Sequence, residues 1–230
     1  MKERPILFST EMVKAILEGR KTQTRRVMRR QPDAVEYFKR GEETTDTNAK
    51  YAILRCYNNP KGFKKCASGW SADAKYKTPF HEFNVGDQLW VRETWQIIGD
   101  PATLPCQRHN LIYRADYPNC VDKRYDTIPD ISEVKFKPSI HMPRWASRIQ
   151  LEITNIRVER LNDISDSDAK AEGVLETMYG WKSQSDSYRY GETPSAAFHI
   201  LWEEINGSES IKANPWVWVV EFKIIQGGAA

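Results

Sequence analysis

The stretch from Gly19 to Arg26 reads GRKTQTRR, and Arg29 and Arg30 follow it closely. It gathers cations and hydroxyls, the ingredients of anion recognition and of acyl transfer. Guanidinium and ammonium groups neutralise phosphates or a developing oxyanion. A threonine hydroxyl attacks a carbonyl only when a base takes its proton. A lysine serves as that base only when burial or neighbouring cations depress its pKa. The cations on offer are Lys21, Arg25, Arg26, Arg29 and Arg30. The competing reading is a solvated basic face, which is what most charge runs are. A net charge of +3 does not choose between the two, because phosphate attraction depends on where the charge sits.

The elements around the octet are legible from periodicity and caps. Met12, Val13, Ile16 and Leu17 lie at helical spacing, with Ser9 or Thr10 as cap and Gly19 as terminator, so a helix over Glu11–Glu18 leads into the octet, which reads as a loop. From about 29 to 82 the chain is polar, with scattered Gly and Pro. It reads as an irregular insertion with one short strand over Tyr51–Tyr57. Val85-Gly86-Asp87 makes a turn into an alternating strand, Gln88–Trp95, whose far end is polar. Leu111–Ala115 reads as a strand, and a loop insertion spans about 116–137. After the proline-stiffened PSIHMPRW, the alternation Ile149, Leu151, Ile153 slips by one residue to Ile156 and Val158. That slip predicts a strand bent by a bulge near Thr154-Asn155. Ser165 and Asp168 open a short helix that ends at Gly173. Thr193 and Pro194 open a longer one with Phe198, Leu201, Trp202 and Ile205 on one face and Gly207 beyond its end. The run WVWVVEFKII, Trp216–Ile225, reads as a central or closing strand, and 226–230 as a disordered tail.

Composition narrows the function classes. With 230 residues, 40% hydrophobic and 28% charged, the chain suits one packed domain with insertions. MKERPILFSTEM lacks the apolar core of a signal peptide, and no apolar run is long enough for a membrane span, so a cytoplasmic location is expected. Cys56, Cys66, Cys106 and Cys120 lack CxxC spacing, which favours free thiols over disulfides or structural zinc. No GxGxxG, P-loop, HExxH or GxSxG element is present, so dinucleotide, kinase-like and zinc-protease readings lose support.

The order of helix, basic octet, VGD turn into a strand, bent strand and short helix ending AEG resembles the ASCH superfamily, a branch of the PUA-like barrels. The runs VGDQLWVRETW, KPSIHMPRWASRIQLEITNIRVERL and NPWVWVVEF are similar to the larger ASCH proteins found in phages and prophages. The resemblance covers 5–28, 83–96 and 137–225 and is silent over the polar insertion. It implies an α+β fold, a PUA-like β-barrel with peripheral helices and long loop insertions, forming a single domain over 1–225. Small bacterial members of the superfamily hydrolyse N(4)-acetylcytidine with a Lys and a Thr from a GxKxxTxR-like loop and a Glu from the helix after the long strand. Those positions fall here on Lys21, Thr24 and Glu172. The departure is size, because those enzymes are little more than the bare barrel.

The resemblance thus implies an amidohydrolase that removes an acyl group from the exocyclic amine of an N(4)-acylated cytidine or related nucleoside. Thr24 would be the nucleophile and Lys21 its base, with Arg25 or Arg26 on the oxyanion. Glu172 would either pass a proton to the departing nitrogen or orient Lys21 through an ion pair. In a barrel of this kind Glu93 and Trp95 project beside the octet, where Trp95 can stack on a base. Arg144 and Trp145 of HMPRW line the same mouth, and His141 alone is a weak signal. Taken singly, each residue has an ordinary reading: a surface lysine, a turn hydroxyl, a helix-end carboxylate, a packing tryptophan. The chemistry demands no cofactor or metal, and the expected partner is a modified nucleoside or nucleobase, or RNA. Nothing in the sequence bears on oligomeric state. Two rivals stand: a non-catalytic module that binds RNA or a modified nucleobase with Arg25, Arg26, Arg29 and Arg30 on phosphates, and, more weakly, a ribonuclease.

Overall fold

The computed structural model describes residues 2–28, 31–32, 84–98, 111–121, 130–185 and 187–226, together with the backbone of 34–39, 42–44, 51–56, 64–66 and 69–73. In chain order the strands begin with β1 Glu3–Leu7, β2 Gln23–Val27, β3 Ala34–Lys39, β4 Glu42–Thr44, β5 Tyr51–Cys56, β6 Lys64–Cys66 and β7 Gly69–Asp73. They continue with β8 Gln88–Arg92, β9 Trp95–Ile97, β10 Leu111–Tyr113, β11 Gln150–Arg160, β12 Leu175–Thr177, β13 Gly180–Lys182 and β14 Trp216–Gln226. The helices are α1 Thr10–Leu17, α2 Asp166–Ala171, α3 Pro194–Asn206 and α4 Ser208–Lys212.

The central sheet has the order β1-β8-β11-β14-β2, parallel between β1 and β8 and antiparallel elsewhere. Beside the middle strand β11 lies β14, whose β-branched and aromatic run is buried on both faces from Val217 to Val220. Side chains alternate across a strand, so the two parities enter different cores. Trp218, Val220 and Phe222 join Leu89, Val91, Leu151 and Ile153, capped by Val13 and Ile16 of α1. Val217 and Val219 face Phe198 and Trp202 of α3, together with Ala169 of α2 and Leu161.

The local signals hold closely. Ser9 accepts from Met12 N to start α1, Ser165 from Asp168 N to start α2, and Thr193 from Ala196 N to start α3. Gly19 and Gly173 take positive φ values of 74° and 101° where α1 and α2 stop. The predicted bulge appears as a register shift between Ile153 and Asn155 in the β11–β14 pairing.

The α+β class is what the sequence predicts, but four expectations change. The sheet is open among the described residues, with β1 and β2 as unpaired edges rather than a closed backbone barrel. The edges instead approach through side chains: Arg26 Nη2 of β2 donates to the Leu7 carbonyl of β1 at 2.9 Å, and its guanidinium lies 5.6 Å from the Phe8 ring. The second half of the octet is strand, not loop, because β14 offers Val217–Glu221 as a ladder to Gln23–Val27. The polar insertion is not irregular: β3 to β7 pair into a second antiparallel sheet, ordered β4-β3-β5-β7-β6. The predicted strand over Gln88–Trp95 breaks at Glu93-Thr94, and Trp95 begins β9, which pairs with β10. Gln226 ends β14, while 227–230 and residues 122–129 of the second loop lie outside the described residues. No helix among the described residues is long and apolar enough to cross a membrane.

Candidate functional site

The turn after α1 and the C-cap of α2 meet in an isolated bridge between Lys21 and Glu172. Lys21 Nζ lies 2.6 Å from Glu172 Oε2 and 2.9 Å from the Glu172 carbonyl oxygen, with the two side chains 1% and 4% exposed. The helix stop at Gly19 delivers Lys21 into the space below α2. The stop at Gly173 turns Glu172 back toward it.

Arg25 completes the arrangement. Opposite Val219 on β14, it shares that strand's α3-facing parity, and its guanidinium lies 5.7 Å from the Phe198 ring. It donates to Glu172 Oε1 at 3.3 Å, to Glu159 Oε2 at 3.0 Å and to Asp168 Oδ2 at 3.1 Å. Arg157 of β11 binds Glu159, Asp168 and Glu221, and Gln23 Nε2 donates to the Asp168 carbonyl at 2.8 Å. A buried charge must be paired, and this lattice pairs Lys21, Arg25 and Glu172 at once, leaving only Arg25 Nε of the three side chains' buried polar atoms without a hydrogen-bond partner among the described residues.

Burial pushes the Lys21 ammonium below the ordinary lysine range. The Glu172 charge and hydrogen bond oppose that shift, and Arg26 and Arg25 add a smaller push in the same direction as burial. Of the two causes the sequence leaves open, desolvation therefore exceeds the arginine-rich octet. Both Glu172 oxygens are held by cations, a geometry that orients Lys21 rather than presenting a free acid.

A cavity of about 70 Å³ opens beside this cluster, lined by Thr24, Arg25, Arg26 and Glu172 and walled by Met12, Phe198, Leu201 and Trp202. Thr24 and Arg25 belong to opposite pleat faces, so the cavity wraps the free edge of β2. The Thr24 hydroxyl makes no hydrogen bond among the described residues, although the residue is only 2% exposed. Arg26 has the same parity as Thr24 and makes one hydrogen bond, to Leu7, whereas the Arg25 guanidinium is occupied by three carboxylates.

The other residues singled out in the sequence gather elsewhere. Glu93 is buried against Arg148, which it holds by two hydrogen bonds of 2.9 and 3.0 Å, and Arg148 also binds Asp116. Burial raises the Glu93 carboxyl above its usual range against the pull of Arg148. Trp95 is 4% exposed and packs edge-on to Trp145 with ring centroids 6.0 Å apart, which makes it a core residue. Arg144 pairs with Glu3 at the surface, and His141 ends a short 3-10 turn. None of these lines the cavity at Thr24. Arg29 and Arg30 lie outside the described residues.

Sequence reasoning missed Glu159, Arg157, Asp168 as an ion partner, and Gln184, whose Nε2 donates to the Glu172 carbonyl. The available signal was Arg157 and Glu159 alternating with Ile156 and Val158 in the second half of the bent strand, where charges on a covered face demand partners. No protein-family model, curated protein or solved structure matches this chain.

Proposed function

We propose that the chain is an ASCH-type, PUA-like domain acting as an amidohydrolase on N(4)-acylated cytidine or a related modified nucleoside. The observation that carries this reading is the buried Lys21–Glu172 contact of 2.6 Å beside a cavity lined by Thr24. The side-chain closure between Arg26 and Leu7 supports a barrel-type architecture whose edges are brought together without a continuous ladder.

In this reading Thr24 Oγ attacks the acyl carbonyl while its proton passes to neutral Lys21. Arg26, on the same face of β2, holds the oxyanion. Collapse of the tetrahedral intermediate breaks the C–N bond, and Lys21 returns the proton to the departing exocyclic nitrogen. Water then attacks the Thr24 ester, losing a proton to Lys21; the ester C–O bond breaks, Lys21 returns the proton to Thr24 Oγ, and the acyl group leaves as its carboxylic acid. Glu172 orients Lys21 throughout.

The second reading, a module that binds a modified nucleobase or RNA without hydrolysis, is favoured by the full occupancy of both Glu172 oxygens. Incubating the protein and its Thr24→Ala variant with N(4)-acetylcytidine, and following cytidine release by absorbance, separates them. Release by the unsubstituted chain alone supports hydrolysis with Thr24 as nucleophile. Binding without release from either chain supports the binding module.

A further inference from the structure

The ladder between β14 and β2 leaves a main-chain donor unclaimed beside Thr24. Antiparallel pairs alternate between residues that exchange ladder hydrogen bonds and residues that do not. Met28 N donates to the Trp216 carbonyl at one end of this pairing, and Phe222 N donates to the Thr22 carbonyl at the other. Both bonds share the register that sets Thr24 opposite Val220 and Arg26 opposite Trp218, so the even-numbered residues of β2 are the bonded ones. Gln23, Arg25 and Val27 alternate with them, and their N–H and C=O groups point away from β14. Because β2 ends the order of the central sheet, no further strand among the described residues meets those groups.

Burial shows which part of Arg25 meets the cavity at Thr24. The whole residue is 3% exposed and its side chain 0%, so the surface it retains belongs to its main chain. Arg25 lines the cavity of about 70 Å³, which therefore meets its peptide and not its guanidinium. The peptide is also held still. The Thr24 carbonyl at one end of the Thr24–Arg25 peptide belongs to the ladder with Val220, which orients the Arg25 N–H at the other end toward the free edge. The Arg25 side chain is anchored by Glu172, Glu159 and Asp168. A donor fixed in this way costs no reorganisation when negative charge develops in front of it.

Resting on the hydrolase reading above, we propose that the main-chain N–H of Arg25 is a catalytic donor, completing with the Arg26 guanidinium an oxyanion hole for the tetrahedral intermediate formed on Thr24. It belongs to the residue after the nucleophile, so it travels on the same peptide as the reacting hydroxyl. The two arginines then divide the work. Arg26 supplies a side chain from the Thr24 face of β2. Arg25 supplies its backbone at the edge, while its guanidinium holds Glu172 Oε1 and leaves Oε2 to Lys21.

Exchanging the Arg25 amide for an ester, with the α-hydroxy analogue of arginine installed by peptide ligation, deletes this N–H and keeps every side chain. The same exchange at Val27 is the control, because it deletes an edge N–H about 7 Å further along the strand. Each ester also weakens one ladder carbonyl, that of Thr24 or of Arg26, so the two chains are matched in that respect. With N(4)-acetylcytidine the Arg25 ester is expected to lower kcat about a hundred- to thousandfold with little change in KM, and the Val27 ester to leave both unaltered. Equal kcat in the two esters overturns the proposal and leaves the hydrolase reading standing. No cytidine release by the all-amide chain removes the hydrolase reading and the proposal with it. Should the Arg25 ester fail to fold, methylboronic acid added to the all-amide chain supplies a tetrahedral adduct at Thr24. The Arg25 amide proton resonance is then expected to move downfield further than those of Gln23 and Val27, and a resonance that stays in place overturns the proposal.

Discussion

Replacing Glu172 with glutamine keeps the side chain's shape and deletes the charge facing Lys21 and Arg25, whose side chains are 1% and 0% exposed. Arg25 retains Glu159 and Asp168, so the loss falls mainly on Lys21, for which no other carboxylate lies within ion-pair distance among the described residues. Removing one partner of a buried ion pair costs about 3–5 kcal/mol. For a chain of 230 residues each kcal/mol moves Tm by about 2–4 °C, so a fall of about 6–20 °C is expected at neutral pH. The sign with pH follows from the direction of the Lys21 shift. Burial already lowers its pKa and Glu172 holds it up, so the substitution lowers it further. As pH rises through that lowered value the ammonium becomes neutral and the uncompensated charge disappears, so the loss shrinks toward alkaline pH. Thermal and urea unfolding followed by circular dichroism between neutral and alkaline pH measures both effects. A loss below about 1 kcal/mol, in the range of exposed pairs, or one that grows with pH, would refute the buried-pair argument.

Three further outcomes follow from the same geometry. Hydrolysis that uses neutral Lys21 as base rises with pH through a midpoint below the ordinary lysine value of 10.5, and Glu172→Gln moves that midpoint lower in any residual activity. A pH–rate profile of kcat/KM reads it, and a midpoint at or above the ordinary value argues against the role. Arg148→Met leaves the buried Glu93 without its guanidinium and costs about 3–5 kcal/mol at neutral pH. The cost diminishes as the pH falls and Glu93, already raised by burial, takes a proton, which urea denaturation at two pH values resolves. Gly173→Ala sets a Cβ 1.8 Å from Gln184 Nε2 at a φ of +101°, so it strains the backbone by about 1–3 kcal/mol and displaces the Gln184 amide. Unfolding midpoints matching the unsubstituted chain would refute the backbone strain, which remains at this φ even if the Gln184 amide moves aside.

Sequence alone determined the elements whose causes are local. Ser9, Ser165 and Thr193 are caps because their oxygens meet backbone donors three residues on. The bulge in β11 is legible because a one-residue slip in apolar alternation has no other way to keep both halves on the core. The residue types of the candidate site, Lys21, Thr24 and Glu172, came from their place in a family resemblance. Tertiary structure alone decided their circumstances. Lys21 and Glu172 are 151 positions apart, and their contact depends on two helix stops converging beneath α2. Tertiary structure likewise decided that the octet's end becomes an edge strand on β14, and that the sheet's edges meet through Arg26 rather than a ladder. It separated Glu93 and Trp95 from the cavity at Thr24 and brought Gln184 to the Glu172 carbonyl. The physical reason is common to all of these. Caps and periodicity are satisfied within one turn or one strand, whereas burial of a charge or pairing of an edge is set by distant segments that no local pattern names.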